Sequence, residues 1–454
     1  MNYEESVRSL LQLGRELGAP RQARLQKFGL LNIAALAAEL GKPHLAVPCV
    51  HIAGTNGKGS TAAMLESILL SAGLRPGLYT SPHLERINER IRVAGEDISD
   101  EDFATAWSRV RCATESLMAS GKIESHPTFF ECVTAMAFLA FAEHKVDLAI
   151  YEVGMGGRFD ATNIVLPQIG VITSIDFDHE NFLGHSIAEI AGEKAGIIKP
   201  GMRIVSSADR PEAREVIARR CSETGAELFE VDESWRVDQV AGSNGCYRAV
   251  AFSMRAQCPV VIQPSLRGRF QIRNALAAAT AAQLLAERGL RVTWESITSG
   301  LSNVRWPGRL ERLGEHPDLF LDGAHNPAGA RELLAFWAEN FKQKRILLVY
   351  GAMRDKAVDE IAGWLFPNAD TVILTEPRQP RAVSATVLAQ LTGHFAKRCL
   401  LEPDPFAALE AALRMASPED AIFVTGSLYL VGELRGYWRE RRHMTSIVAL
   451  QAPR

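Results

Sequence analysis

Lys58 stands in the segment His51-Ile52-Ala53-Gly54-Thr55-Asn56-Gly57-Lys58-Gly59-Ser60-Thr61: an apolar run, a glycine turn, a cation, and a hydroxyl pair opening a helix. That order suits phosphate. Backbone N–H groups of a glycine turn converge on phosphate oxygens and a helix N-terminus adds a positive dipole end. The lysine adds a mobile cation, and Ser60 or Thr61 offers a hydroxyl to Mg²⁺. The string departs from the common P-loop at two points: Gly59 separates the lysine from the hydroxyls, and Ile52 stands where a glycine is usual. Further along, Glu152 closes a strand-like run and precedes the turn Gly154-Met155-Gly156-Gly157. A strand-end carboxylate downstream of a phosphate loop is where nucleotide-bound Mg²⁺ is usually held. Judged alone, His179 reads as a capping or core histidine and Lys194 as a solvated surface lysine, because Mg²⁺ prefers oxygen ligands and lysine is rarely buried. By themselves these residues indicate a Mg-nucleotide enzyme.

The elements that must position them alternate. Asp147 to Glu152, Ile169 to Ile175 and Arg203 to Ser207 read as strands. Met64, Leu65, Ile68 and Leu69 recur at helical spacing up to Gly73, and Phe130 to His144 and Ile187 to Ile197 also read as helices. This predicts an α/β chain opening with a P-loop ATPase-type, doubly wound, mostly parallel sheet, whose ligands gather at the carboxyl ends of its strands. Residues from Glu223 to Ser265 read as a more variable strand-and-loop section with a turn at Gly242 to Gly245, and an alanine-rich helix follows Asn274. Trp306-Pro307-Gly308-Arg309 reads as a linker. Beyond it Leu319 to Asp322, Arg345 to Tyr350, Thr371 to Leu374 and Ala421 to Thr425 alternate with helical stretches. A smaller C-terminal α/β, Rossmann-like domain is therefore expected, with the division at 1–305 and 306–454.

A chain of 454 residues exceeds what one core organises. Its net charge of -3 gives no electrostatic case for nucleic acid or an anionic membrane as partner. No apolar run is long enough to span a bilayer. The 7 cysteines are scattered without a CxxC pair, the pattern of reduced thiols in a cytoplasmic protein.

Taken together, the strings resemble the folylpolyglutamate synthase/dihydrofolate synthase family, a branch of the Mur ligase superfamily. They are, in order, His51 to Ser60, Thr80-Ser81-Pro82-His83-Leu84, Glu152 to Asn163, Asp178-His179 with Leu183-Gly184, Glu193 to Ile197, Trp306 to Arg309, Leu321 to Pro327 and Thr425 to Gly432. The resemblance spans nearly the whole chain. It implies that Gly54, Thr55, Asn56, Gly57, Lys58, Gly59 and Ser60 hold ATP phosphates, with Ser60, Ser81 and Glu152 around one Mg²⁺. A second Mg²⁺ would be held through Glu152, His179 and Lys194, the last as a carbamate, which turns an ammonium into an anionic oxygen ligand. Lys58, Glu152, His179 and Lys194 would form the catalytic set. Asn274 and Arg309 resemble positions contacting adenine and phosphates, and Asp322 the ribose position. Gly268-Arg269-Phe270 stands where a Gly-x-His is more familiar. His325 and Ser427 resemble the residues that take incoming glutamate. Phe129 and Phe130, with Arg158 and Asp160, resemble the pterin-contacting region.

The activity implied is ATP-dependent amide ligation. A pteroate or folate carboxylate takes the γ-phosphoryl group of ATP, and L-glutamate attacks the acyl phosphate, leaving ADP and phosphate. The style of Gly157 to Asn163 resembles dihydropteroate-using members, so a bifunctional dihydrofolate synthase/folylpolyglutamate synthase is expected, acting as a monomer; the alternative is folylpolyglutamate synthesis alone. A monovalent-cation requirement is left open by the residues. A rival of another class, a P-loop switch protein without ligase activity, accounts for the phosphate loop and Glu152 but gives no role to Lys194, Asp322 or Ser427.

Overall fold

The computed structural model describes residues 1–13 and 29–451. Runs without polar alternation become strands covered on both faces, as parallel sheets require. β1 (Cys49–Ala53), β2 (Pro76–Tyr79), β5 (Leu148–Glu152), β6 (Ile169–Ile172), β7 (Arg203–Ser206) and β8 (Glu227–Glu230) run parallel, and the short β3 (Ile91–Val93) and β4 (Glu96–Asp97) add an antiparallel edge. The sheet order is β4-β3-β2-β5-β1-β6-β7-β8. β1 thus lies between β5 and β6, at the reversal of strand order where such sheets open a crevice.

β6 stops at Ile172, short of the expected Ile175. The Thr173 and Ser174 hydroxyls instead donate to the Asn56 carbonyl at 2.7 and 3.2 Å, and Thr55 N–H donates to the Ser174 carbonyl at 2.7 Å. These bonds tie the end of β6 to the phosphate loop. The helix Lys58–Ser71 packs under the helices Gln271–Ala286 and Trp294–Asn303. A Cβ at Gly300 would lie 2.6 Å from the Ile68 nitrogen, so the helices meet backbone to backbone there.

The variable section forms an antiparallel sheet of β9 (Trp235–Ser243), β10 (Cys246–Ser253) and β11 (Val260–Ile262). Its hairpin turns through Asn244 and Gly245, both at positive φ (52° and 77°), the conformation that Asn-Gly favours. The second large sheet holds β12 (Glu311–Gly314), β13 (Asp318–Leu321), β14 (Ile346–Tyr350), β15 (Thr371–Leu374), β16 (Cys399–Leu401) and β17 (Ala421–Thr425). Its order is β12-β13-β17-β14-β15-β16, parallel except for β12. β17 is inserted between β13 and β14, which gives this sheet its own switch point.

Candidate active site between two sheets

The carboxyl ends of both sheets open onto one cavity of about 1150 Å³. Gly54 follows β1, Glu152 ends β5 and Asp176 follows β6. Opposite them Asp322 follows β13, Lys356 lies after β14 and Ser427 follows β17, and all six line the cavity.

On the first wall the phosphate loop turns through Gly54 (φ 148°) and Gly57 (φ 85°), and Gly57 begins the helix Lys58–Ser71. Side chains fill the space a Cβ would need at both positions, Thr173 at Gly54 and Asn274 at Gly57. The inserted Gly59 has a steric role: a Cβ there would meet the Trp306 indole at 3.1–3.4 Å, so the residue admits the linker tryptophan against the helix. Lys58 Nζ folds back to donate to the Gly54 and Thr55 carbonyls, each at 3.0 Å. Lys194 is buried and donates to the same Gly54 carbonyl at 2.8 Å. Burial, with repulsion from Lys58, lowers its pKa to about 7. Glu152 is buried, and one oxygen accepts from the Ser81 N–H at 3.1 Å. Burial raises its pKa against the pull of Lys58. His179 sits at φ 51°, and burial lowers its pKa to about 4.

The second wall is knitted together. Both Asp322 oxygens accept backbone N–H groups, from Leu310 and Ala324, at 2.9 Å each. Arg309 lines the cavity beside it, and its guanidinium donates to the Gly308 carbonyl at 3.2 Å. His325 Nδ1 donates to the Gly323 carbonyl at 2.7 Å, which turns Nε2 toward Asp178, 3.6 Å away. Ser427 Oγ accepts from the Tyr429 N–H at 3.2 Å, at the start of the helix Leu428–Gln451.

Two expected substrate residues do not reach the cavity. Phe129 and Phe130 are neighbours at the start of the helix Phe129–Glu143, about 100° apart around its axis. Phe130 lines the cavity, while Phe129 joins the core with the Arg90 guanidinium over its ring at 5.1 Å. Arg158 turns its guanidinium to Glu193 (3.1 Å) and the Gly192 carbonyl (3.2 Å). Asp160 does line the cavity, yet it also holds the turn before it: it accepts from Met155 N–H and Thr162 N–H at 3.0 Å each. Asn274 leans over Gly57 and donates to Gln271 Oε1 at 2.9 Å.

The sequence reading placed Asp176 and Asp178 at a strand end without giving either a role, and it passed over Lys356. Asp178 accepts from Lys356 Nζ at 2.7 Å and from Asn326 Nδ2 at 3.1 Å. Burial pushes its pKa up, but the nearby His325 imidazole and the Lys356 ammonium outweigh this and hold it well below the usual carboxylate range. Asp176 bridges Arg210 (3.1 Å) and Arg331 (2.6 Å), one from each side of the cavity. Asp178 had a signal in its string with His179. Lys356, in Arg354-Asp355-Lys356, reads as an ordinary polar loop.

The donor set fits a hard cation that arrives with phosphate. Among the described residues no three His, Cys, Asp or Glu side chains converge as a metal cage, and Mg²⁺ ordinarily takes one or two carboxylates plus phosphate oxygens and water. Glu152 supplies a buried carboxylate. His179 is held neutral, its Nδ1 is buried without a hydrogen-bond partner, and Nε2 lies 3.4 Å from Lys356 Nζ.

Comparison with known proteins agrees with this geometry. Residues 52–282 match the Mur ligase middle domain and residues 308–428 the Mur ligase glutamate ligase domain. The dihydrofolate synthase/folylpolyglutamate synthase of Bacillus subtilis is 38% identical over 412 residues, covering 90% of this chain and 94% of that protein. The chain belongs to the dihydrofolate synthase/folylpolyglutamate synthase family. Family members with bound nucleotide share its architecture. The structure of Mycobacterium tuberculosis folylpolyglutamate synthase complexed with ADP and AMPPCP has a TM-score of 0.84 at 32% identity, covering 95% of this chain and 99% of that one. The E. coli FolC structure in complex with DHPP and ADP has a TM-score of 0.83 at 29% identity, covering 97% and 99%. The family is one of ATP-dependent ligases, so the switch-protein alternative falls away.

Proposed function

We propose that this enzyme adds L-glutamate to dihydropteroate and to reduced folates, using ATP and two Mg²⁺ ions, as a cytoplasmic monomer. The observation that carries the reading is the convergence of two sets of strand ends on one cavity, with Lys58, Glu152 and Lys194 on one wall and Asp322, His325 and Ser427 on the other. In this reading residues 1–305 bind Mg-nucleotide and pterin, and 306–454 complete the nucleotide site and bind glutamate. The seven free cysteines suit a reducing compartment.

The chemistry is charge management. A carboxylate must approach a polyanion, and Lys58 offsets that repulsion by leaving the Gly54 and Thr55 carbonyls for phosphate oxygens. The loop N–H groups and the helix Lys58–Ser71 supply fixed positive ends for the same oxygens. Glu152, His179, Ser60 and Ser81 would hold Mg²⁺, which when bound neutralises phosphate charge as a Lewis acid. Lys194 joins them after carbamylation. With a pKa of about 7 its amine is substantially neutral, so the nitrogen lone pair forms a bond to the carbon of CO₂, a proton leaves to solvent, and an anionic carbamate remains. The acceptor carboxylate takes the γ-phosphoryl group and ADP leaves. The neutral amino group of glutamate then attacks the acyl carbon, phosphate departs, and the proton passes to solvent.

Ser427, at a helix N-terminus, and His325 face the incoming amino acid, whose carboxylates such groups suit. Phe130 offers an aromatic face for the pterin. Parallel assays of purified enzyme with dihydropteroate and with reduced folates test the reading. ADP release that requires glutamate together with either acceptor is expected; no turnover of dihydropteroate would reduce the activity to folylpolyglutamate synthesis.

A further inference from the structure

The phosphate loop reaches across the cavity through the side chain of Asn56, which lines the cavity with the rest of the loop. Asn56 Nδ2 donates to Asn326 Oδ1 at 3.0 Å and Asn326 Nδ2 donates back to Asn56 Oδ1 at 2.9 Å, a reciprocal amide pair between residues 270 positions apart. The orientation of Asn326 is fixed twice over. Its Oδ1 accepts the Gly329 N–H at 2.8 Å, capping the helix Pro327–Asn340, and its Nδ2 donates to the Asp178 carboxylate at 3.1 Å. A flipped amide would set donor against donor at the cap and acceptor against carboxylate at Asp178. The backbone of Asn56 is held too, its main-chain carbonyl accepting the Thr173 and Ser174 hydroxyls, while its side-chain amide bonds Asn326. Asn326 is buried, so a lost partner there is not replaced freely by water.

The geometry points to Asn56 and Asn326 as a cross-domain clasp that positions the amino-acid side of the active site from the phosphate loop. Asn56 lies between loop residues Thr55 and Gly57, and Asn326 follows His325 directly. Through Asp178, Asn326 is also joined to Lys356 and faces His325. A shift of the loop is therefore carried to His325 and Lys356 through paired hydrogen bonds. The part of the proposal that concerns glutamate rests on the assignment of His325 and Ser427 to that substrate. Both asparagines are positioning residues in this scheme, and Asn56 acts on the opposite substrate from the one its place in the loop suggests.

The test is a double-substitution cycle on the full-length enzyme. Asn326→Ser keeps a side chain that caps a helix while shortening its reach, and Asn56→Ala removes the other half. Each single variant is expected to raise KM for L-glutamate about tenfold while KM for ATP changes less than about twofold. The double variant should be no worse than the poorer single one, because either change already opens the clasp. Thermal melts and binding of a non-hydrolysable ATP analogue confirm folding. Additive losses in kcat/KM, or an Asn56→Ala defect confined to KM for ATP, would overturn the clasp. Non-additive losses in kcat/KM for the folate acceptor with KM for glutamate unchanged would keep the clasp and remove His325 and Ser427 from glutamate binding.

Discussion

The two walls of the cavity handle charge differently. On the first, Glu152 is buried with its pKa raised, Lys194 is buried with its pKa lowered to about 7, and His179 keeps a buried ring nitrogen without a partner. On the second, Asp322 accepts two backbone N–H groups and Asn326 takes part in four hydrogen bonds: two with Asn56, one with Asp178 and one with Gly329. The first wall is left electrostatically incomplete, the condition expected where ligands supply the missing charge. The second is paired in advance and acts as a rigid template. Substitutions should therefore change activity and stability in opposite senses on one wall and in the same sense on the other.

The largest effect is expected at Lys194. Lys194→Ala should lose at least about a hundredfold in kcat, since the proposed metal-site group goes, while its melting temperature should rise, because a buried amine whose charged form burial opposes is removed. Added acetate or formate should restore part of the activity by replacing the anionic ligand. Wild-type activity after the substitution would remove Lys194 from the first wall's chemistry.

The next effect is a dependence on pH. The folded chain releases the Lys194 proton at about 7, whereas the unfolded chain keeps it to near 10.5. Between those values the unfolded state binds more protons, so stability rises with pH by up to about 1.4 kcal/mol per unit. Below about 7 the slope from this group vanishes and its unfavourable contribution is fully present. Denaturant titrations of wild type and Lys194→Met across this range should diverge accordingly, and parallel curves would contradict the assigned burial.

On the second wall, Asp322→Ala should lower stability by about 1–3 kcal/mol, the cost of leaving buried N–H groups without acceptors, and should also weaken nucleotide binding. The smallest shift belongs to Glu152→Gln. This variant should turn over poorly, yet its melting temperature should rise slightly, because burial opposes the carboxylate and the amide keeps an acceptor for Ser81. A fall in its melting temperature would erase the contrast between the walls.

On the first wall the phosphate loop and Glu152 were legible because their groups are local, within one strand-to-helix turn and at the end of an apolar run, whereas Lys194, read alone as a solvated surface lysine, is buried against the loop. Strand positions followed for the same reason, since buried parallel strands are nearly continuous apolar runs. β6 stopped early because two hydroxyls found partners in the phosphate loop, a contact between residues 117 positions apart for Thr173. Helix phase hid the difference between Phe129 and Phe130, which carry the same side chain and face different ways. Lys356 and Asn326 gain meaning only from partners across the cavity. Gly59, a departure from the common P-loop in the sequence, gains a steric reason only with Trp306 placed against it.

The most direct test of the account is a crystal structure with a non-hydrolysable ATP analogue, Mg²⁺ and a pteroate acceptor. Phosphate oxygens should lie on the N–H groups of residues 54–60, with Lys58 turned to them. One ion should lie about 2.0–2.1 Å from oxygens of Glu152 and of a carbamate on Lys194. Phosphates bound elsewhere, or Lys194 still donating to the Gly54 carbonyl with no ion beside Glu152, would contradict it.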